Sequence, residues 1–203
     1  MNILFICTGN TCRSPMAEAL IKHKYPEAQV QSAGIYANGG ERASMSTIEV
    51  LKERGIDLNH VSQPVTERLL HWADLVLTMT SSHKQALMLE YPIFLEKYFT
   101  LKEYANDADK EVWEAMKKSY TELELKRAAF IQENSQKVDY VKLHEMLNDY
   151  LRDDLREIRL LEADLINDDI SDPFGGELSV YQKTLAELDE QIDLLIDKLK
   201  RQS

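Results

Sequence analysis

Apolar residues fill positions 3–6 without interruption and then give way to a polar loop, CTGNTCRS, at 7–14. A short continuous apolar run with β-branched members predicts a buried strand over 2–6. Beyond the loop the spacing changes. Met16, Ala19, Leu20 and Tyr25 fall on one helical face. Ser14-Pro15 is expected to open that helix, with serine as cap and proline in the first turn, and Pro26 to stop it. The stretch AQVQSAG (28–34) reads as a second strand. SMSTIEVLKERG (44–55) reads as a second helix with Gly55 at its C-cap. ADLVLTM (73–79) has the pattern of a central strand, SSHKQALMLEY (81–91) of a helix ending before Pro92, and KYFTL (97–101) of a fourth strand. Strands alternating with helices predict an α/β fold with a parallel sheet. Ligands of such sheets bind beyond the carboxyl ends of the strands, where the 7–14 loop lies.

The pattern changes again between about 105 and 167, where glycine and proline are absent and charge is dense and mixed. Trp113, Met116, Tyr120, Leu123 and Phe130 recur at three- and four-residue spacing, as do Leu147, Leu151, Ile158, Leu161 and Leu165. The polar stretch QENSQK (132–137) separates the two series. An αα-hairpin with one apolar stripe per helix is predicted; a single long helix broken near 134 is the alternative. Glycine and proline return in DPFGG (172–176). A last amphipathic helix, about 179–200, carries Leu185, Leu188, Ile192, Leu195 and Leu199 on its apolar side.

Composition narrows the function classes. With 44% hydrophobic residues the chain can build a real core, and its formal net charge is −11. That charge argues against nucleic-acid or anionic-membrane partners, because phosphates demand a basic surplus. No stretch approaches the roughly 20 apolar residues of a membrane span, and the opening run is short and lacks a basic flank. A cytoplasmic protein is expected. Thiols stay reduced there, so two cysteines placed together in one loop, Cys7 and Cys12, read as chemistry rather than as a staple.

The loop has the ingredients of an anion site. Backbone N–H groups at a strand-to-helix junction converge on one point, and the helix N-terminus adds positive potential. Gly9 and Asn10 are residue types that accept the left-handed backbone such a nest requires. Arg13 offers a planar fork to two phosphate oxygens. The same field favours a thiolate at Cys7, and Ser14 can hold it with a hydrogen bond. Cys7 is then a nucleophile facing a phosphoryl group, and in-line attack gives a cysteinyl-phosphate. The leaving group needs a proton donor. Asp172 is the candidate: Pro173 restricts its backbone, and Gly175-Gly176 are expected to give its loop freedom. No metal or cofactor is called for. The histidines at 23, 60, 71, 83 and 144 show no ligand-like pairing with the cysteines, and the loop lacks the Gly-Lys-Ser/Thr ending of nucleotide P-loops.

CTGNTCRSP with a late DPFGG resembles the low-molecular-weight protein-tyrosine phosphatase family, and SAG (32–34) and ADLVLTM (73–79) are similar to its second and third strands. The resemblance covers about 1–102 and 169–200. It implies a four-stranded parallel sheet with helices on both faces, formed here by 1–102 and 169–203; residues 103–168 fall outside the resemblance and read as a helical insertion. It implies Cys7 as nucleophile, Arg13 as phosphate clamp and Asp172 as general acid and later base. Thr8, Gly9, Asn10, Thr11, Cys12 and Ser14 would form the phosphate-binding loop. Cys12 matches a family cysteine that traps oxidised Cys7 as a disulfide. Tyrosine-directed members usually carry isoleucine where this chain has Thr11. Threonine there, followed later by DPFGG, is similar to the bacterial protein-arginine phosphatase branch. A hydroxyl accommodates a guanidinium where isoleucine does not, and Phe174 would pack against its plane. Phosphoarginine in proteins is therefore the expected substrate, with phosphotyrosine as the alternative. Arsenate reduction needs further thiols that the sequence lacks. A non-catalytic phospho-residue binder would not need Cys7, Arg13 and Asp172 together. The insertion is the departure from the family pattern, and its apolar stripes pack on each other, on a partner protein or on a second copy.

Overall fold

The computed structural model describes residues 1–202 except 135, 136, 138, 166 and 167; the side chains of 107–114, 116, 117 and 162–165 are also outside the description. The expected packing of Trp113, Met116 and Leu165 therefore lies outside the described residues. Strands β1 (Asn2–Cys7), β2 (Gln29–Gly34), β3 (Leu75–Thr78) and β4 (Tyr98–Thr100) form one sheet in the order β2-β1-β3-β4, every pair parallel. Helices α1 (Arg13–Lys24), α2 (Met45–Glu53), α3 (Glu67–Trp72), α4 (Ser81–Glu90) and α5 (Leu101–Ala105) follow the strands, and α9 (Leu178–Gln202) closes the chain.

Alternation along β1 explains the layering. Ile3 and Phe5 pack with α1, α2, α5 and α9 on one face, while Leu4 and Ile6 pack with α3, α4, Phe94 and Tyr98 on the other. All four are fully buried, so β1 is apolar at every position because both its faces are covered. Helix α9 buries Tyr181, Leu185, Leu188, Ile192, Leu195, Ile196 and Leu199 in the first layer. Each such side chain contributes about 1.5–3 kcal/mol, so α9 is part of the core rather than an appendage.

Helices α3 and α5 are among the elements that escaped the hydrophobic pattern. Helix α3 has six residues, too few to show a period, and rests on Thr66, whose Oγ1 accepts from Leu69 N. Helix α5 takes Leu101 from the expected fourth strand, because Thr100 and Glu103 form a reciprocal capping box that starts a helix there.

Contacts divide the chain into two compact units, Met1–Asn106 with Asp168–Ser203, and Asp107–Asn167. The second unit holds α6 (Asp107–Asn134), α7 (Tyr140–Tyr150) and α8 (Arg152–Leu165). The second arm of the expected hairpin is thus divided. At Leu151 ψ turns to 3°, while Leu151 N still donates to Leu147 O and Leu155 N to Leu151 O. The bend has neither glycine nor proline and left no mark in the sequence. Leu123, Leu147, Leu151 and Ile158 form this unit's buried cluster, Phe130 stacks on Tyr150, and Lys126 pairs with Asp154 at 2.5 Å.

Candidate active site

Cys7 is the last residue of β1, paired with Gly34 at the end of β2, so the polar loop begins at the carboxyl edge of the sheet. The helix starts at Arg13 with Cys12 in the cap position and no side-chain cap. Ser14 is therefore not the cap that its residue type suggested. It is the second helical residue, fully buried, with Oγ 2.9 Å from Cys7 Sγ. Pro15, third in the helix, lacks an N–H that the first turn would leave unbonded anyway.

Asn10 holds the loop in shape. Its φ is +56°, the sole positive value at a non-glycine among the described residues. Gly9, expected to share that conformation, does not adopt it. Asn10 N donates to Cys7 Sγ at 3.3 Å. Its side-chain amide donates to Ser14 Oγ at 3.0 Å and Ser32 Oγ at 2.8 Å, and its Oδ1 accepts from Gln63 N at 2.9 Å. Ser32 in turn donates to Glu18 at 2.6 Å. Asn10 O meets His60 Nε2 at 2.8 Å. The sulfur thus faces the Asn10 N–H and the Ser14 hydroxyl, which donates to it when Cys7 is a thiolate and also lies 3.5 Å from Ala33 O, while Ser14 is fed by the Asn10 amide. Gly34 lets the loop settle on β2: a Cβ there would lie 2.7 Å from Thr8 O and 2.8 Å from Asn10 N.

Arg13 is almost completely buried. Its Nη2 donates to Asp172 Oδ2 at 3.0 Å and to Thr8 Oγ1 at 3.4 Å, and its Nη1 to Ile170 O at 3.4 Å. The segment carrying Asp172 is fixed at both sides. Ile170 N donates to Met79 O just after β3, and Ser171 bonds Glu187 and Thr184 on α9. Lys102 and Ser171 draw the Glu187 carboxyl below its usual range although burial opposes them. Phe174 N donates back to Asp172 Oδ1 at 3.2 Å, and Gly176 N to Pro173 O at 2.9 Å with Gly175 at φ +75°. Gly175 and Gly176 thus build a hydrogen-bonded turn behind Asp172.

Cys7, Thr8, Gly9, Thr11, Cys12, Arg13, Asp172 and Phe174 line one cavity of about 240 Å³, joined by Glu41. Asn10 and Ser14 sit beneath it. Cys12 Sγ lies 3.6 Å from Ser44 Oγ and 3.7 Å from Tyr181 OH, and both cysteines are free. Burial pushes the Tyr181 phenol up. Sequence reasoning missed Ser32, Gln63, Glu41, His60 and His83. Ser32 gave one signal: a polar residue in an otherwise apolar strand end. His83 is buried, with Nε2 2.9 Å from Thr8 Oγ1 and Nδ1 2.7 Å from Thr80 Oγ1; burial and the nearby Arg13 lower its pKa to about 4. Among the described residues, no three of His, Cys, Asp or Glu come together in a metal-binding group.

A thiol at the end of a parallel strand, an arginine six positions on at the head of the next helix and a carboxylate across the cavity together define a cysteine-dependent phosphatase, a hydrolase. The chain belongs to the low molecular weight phosphotyrosine protein phosphatase family, whose model matches residues 2–138. It is 33% identical over 205 residues to a protein-arginine-phosphatase of Bacillus subtilis, covering 99% of this chain and 98% of the relative. A Staphylococcus aureus low molecular weight protein-tyrosine-phosphatase, PtpB, is 41% identical over 109 residues, 53% of this chain and 76% of that one. The solved YwlE arginine phosphatase, a cysteine-to-serine mutant with phosphorylated active site serine, superposes with a TM-score of 0.67 at 33% identity, covering 98% of this chain and 96% of that one.

Proposed function

We propose that this chain hydrolyses phosphoarginine in proteins, in the cytoplasm, through a phosphoryl group carried on Cys7. The observation that carries the substrate choice is the cavity wall: Thr11 offers a hydroxyl, and the Asp172 carboxylate and Phe174 ring stand opposite the loop. A guanidinium gains from a ring face, and the departing arginine gains from the carboxylate that Asp172 becomes once it has given up its proton. The likeness to protein-arginine-phosphatases over nearly the whole chain supports the same choice.

The geometry suits in-line transfer. The Cys7 thiolate, steadied by Ser14 and Asn10, attacks phosphorus; the S–P bond forms as the P–N bond to the guanidino nitrogen breaks. Asp172 gives its proton to that nitrogen, and arginine leaves. Asp172, now a carboxylate, takes a proton from water, which attacks phosphorus, breaks the S–P bond and releases inorganic phosphate. Arg13 and the loop N–H groups hold the equatorial oxygens throughout. No cofactor enters these steps. No helix among the described residues is long and apolar enough to cross a membrane, and two free thiols suit a reducing compartment.

The helical insertion, expected over 103–168, is proposed to contact a partner protein or a second copy. Leu125, Tyr140, Val141 and Leu160 stand exposed on it.

The test compares kcat/KM on matched peptides carrying phosphoarginine or phosphotyrosine, with Thr11→Ile beside wild type. Wild type favours phosphoarginine, and Thr11→Ile moves the ratio toward phosphotyrosine by about tenfold or more, the size expected when a polar contact is replaced by bulk. A wild-type preference for phosphotyrosine refutes the substrate assignment and makes the chain a tyrosine phosphatase of the same family.

A further inference from the structure

His83 takes no part in the transfer just described, yet it is buried against the phosphate-binding loop. It sits on α4, at the carboxyl edge of β3, and touches the loop through Thr8. Both ring contacts allow either direction of donation, and the fixed donors around them favour one. Arg13 Nη2 can only donate to Thr8 Oγ1, and His83 N only to Thr80 Oγ1, at 3.2 Å. Thr80 Oγ1 has then accepted once and still has a proton to place, which His83 Nδ1, 2.7 Å away, can take. A ring that accepts at Nδ1 carries its proton on Nε2, which donates to Thr8 Oγ1 at 2.9 Å. Thr8 Oγ1 is thereby filled as an acceptor, by His83 and by Arg13. Its own proton is left over, and Thr8 is an exposed residue lining the cavity.

We infer that His83 is a positioning residue that turns the Thr8 hydroxyl into a donor to the bound phosphoryl group. This rests on the phosphatase reading and is indifferent to whether the substrate is phosphoarginine or phosphotyrosine. The chain Thr80 O–H to Nδ1, Nε2–H to Thr8 and Thr8 O–H to a phosphoryl oxygen requires a neutral ring. Burial and the Arg13 charge keep it neutral against the opposing pull of Asp169 and Asp172. Arg13 gains as well. Its Nη2 rests on a hydroxyl held from behind, so the guanidinium fork and the hydroxyl face the same oxygens from fixed positions.

A purely structural histidine would lower stability and leave phosphate affinity alone. The test therefore measures the inhibition constant of inorganic phosphate together with kcat on a small aryl phosphate, for Thr8→Val, His83→Leu and the double variant. Loss of one phosphoryl donor predicts about a tenfold weaker phosphate affinity and a kcat lowered by about tenfold to a hundredfold in each single variant. The double variant should be no worse than Thr8→Val, because His83 acts through Thr8. His83→Gln, whose amide can donate to Thr8 while its oxygen accepts from Thr80, should recover most of the loss, and it carries the test if leucine is not tolerated. Losses that multiply in the double variant overturn the inference. So does an unchanged phosphate affinity in His83→Leu, or a glutamine variant as impaired as Thr8→Val. Absence of any phosphate release by wild type would instead sink the phosphatase reading itself.

Discussion

Replacing Asn10 by alanine tests how the loop is held. The residue is fully buried, its backbone is left-handed, and its side chain serves Ser14, Ser32 and Gln63 at once. A Cβ-bearing residue without a polar side chain in that conformation costs about 1–2 kcal/mol. Removing Oδ1 leaves the Gln63 N–H without this acceptor, at about 1–3 kcal/mol. Ser14 and Ser32 keep other partners, Cys7 and Glu18, so they add little. The total is about 2–5 kcal/mol of folding free energy, a large part of a typical domain's stability. Chemistry suffers separately: with Ser14 no longer fed by the amide and the Asn10 N–H no longer aimed at sulfur, kcat should fall by about a hundredfold to a thousandfold. Urea unfolding gives the first quantity and phosphate release the second. Asn10→Gly separates the causes. It removes the backbone penalty and should recover about 1 kcal/mol over alanine while leaving kcat equally low. Wild-type kcat in either variant, or a glycine variant no more stable than alanine, refutes the account.

Gly34→Ala introduces a Cβ within 3 Å of two backbone atoms of the loop, so the loop must shift; kcat should drop at least tenfold with a far smaller loss of stability, read by the same two assays. His83 predicts an acid-side stability loss. Its folded pKa of about 4 lies below the usual 6.5, so the unfolded chain binds the extra proton first; the contribution is intact above pH 6.5 and lost as pH falls through about 4. After discounting for partial solvent access the loss is about 2 kcal/mol, and His83→Gln should flatten that part of the curve in urea titrations at stepped pH. Excising 107–165 with a short linker should leave turnover of small aryl phosphates intact and alter either turnover of a protein substrate or oligomeric state by gel filtration; no change in any of these refutes a contact role for the insertion.

The sheet and the floor of the site were legible because each signal was local. Ile3 to Ile6 is apolar throughout because both faces of β1 are covered, and CTGNTCRS holds the proposed nucleophile and clamp within one loop. What the sequence hid was long-range. Ser32 reaches Asn10 from β2 and His60 and Gln63 from one later segment, and His83 approaches Thr8 from 75 residues away. Spacing carries no trace of such contacts. Ser14 shows the opposite failure: a good capping residue was read as a cap, while the tertiary demand of Cys7 drew it inside the helix and left Cys12 at the cap position. Glu41 lines the cavity because the backbone of 40–41 is tied to Ser62, a pairing that no periodicity announces.

Rapid mixing of the wild-type protein with a phosphoarginine-bearing protein, an acid quench and mass analysis of the peptide containing Cys7 test the central claim most directly. Cys7 should carry one phosphoryl group at early times, more of it in Asp172→Asn than in wild type at equal turnover, and Cys7→Ala should carry none. Release of phosphate from phosphoarginine with no phosphoryl group on Cys7 at any time, or undiminished release by Cys7→Ala, would contradict it.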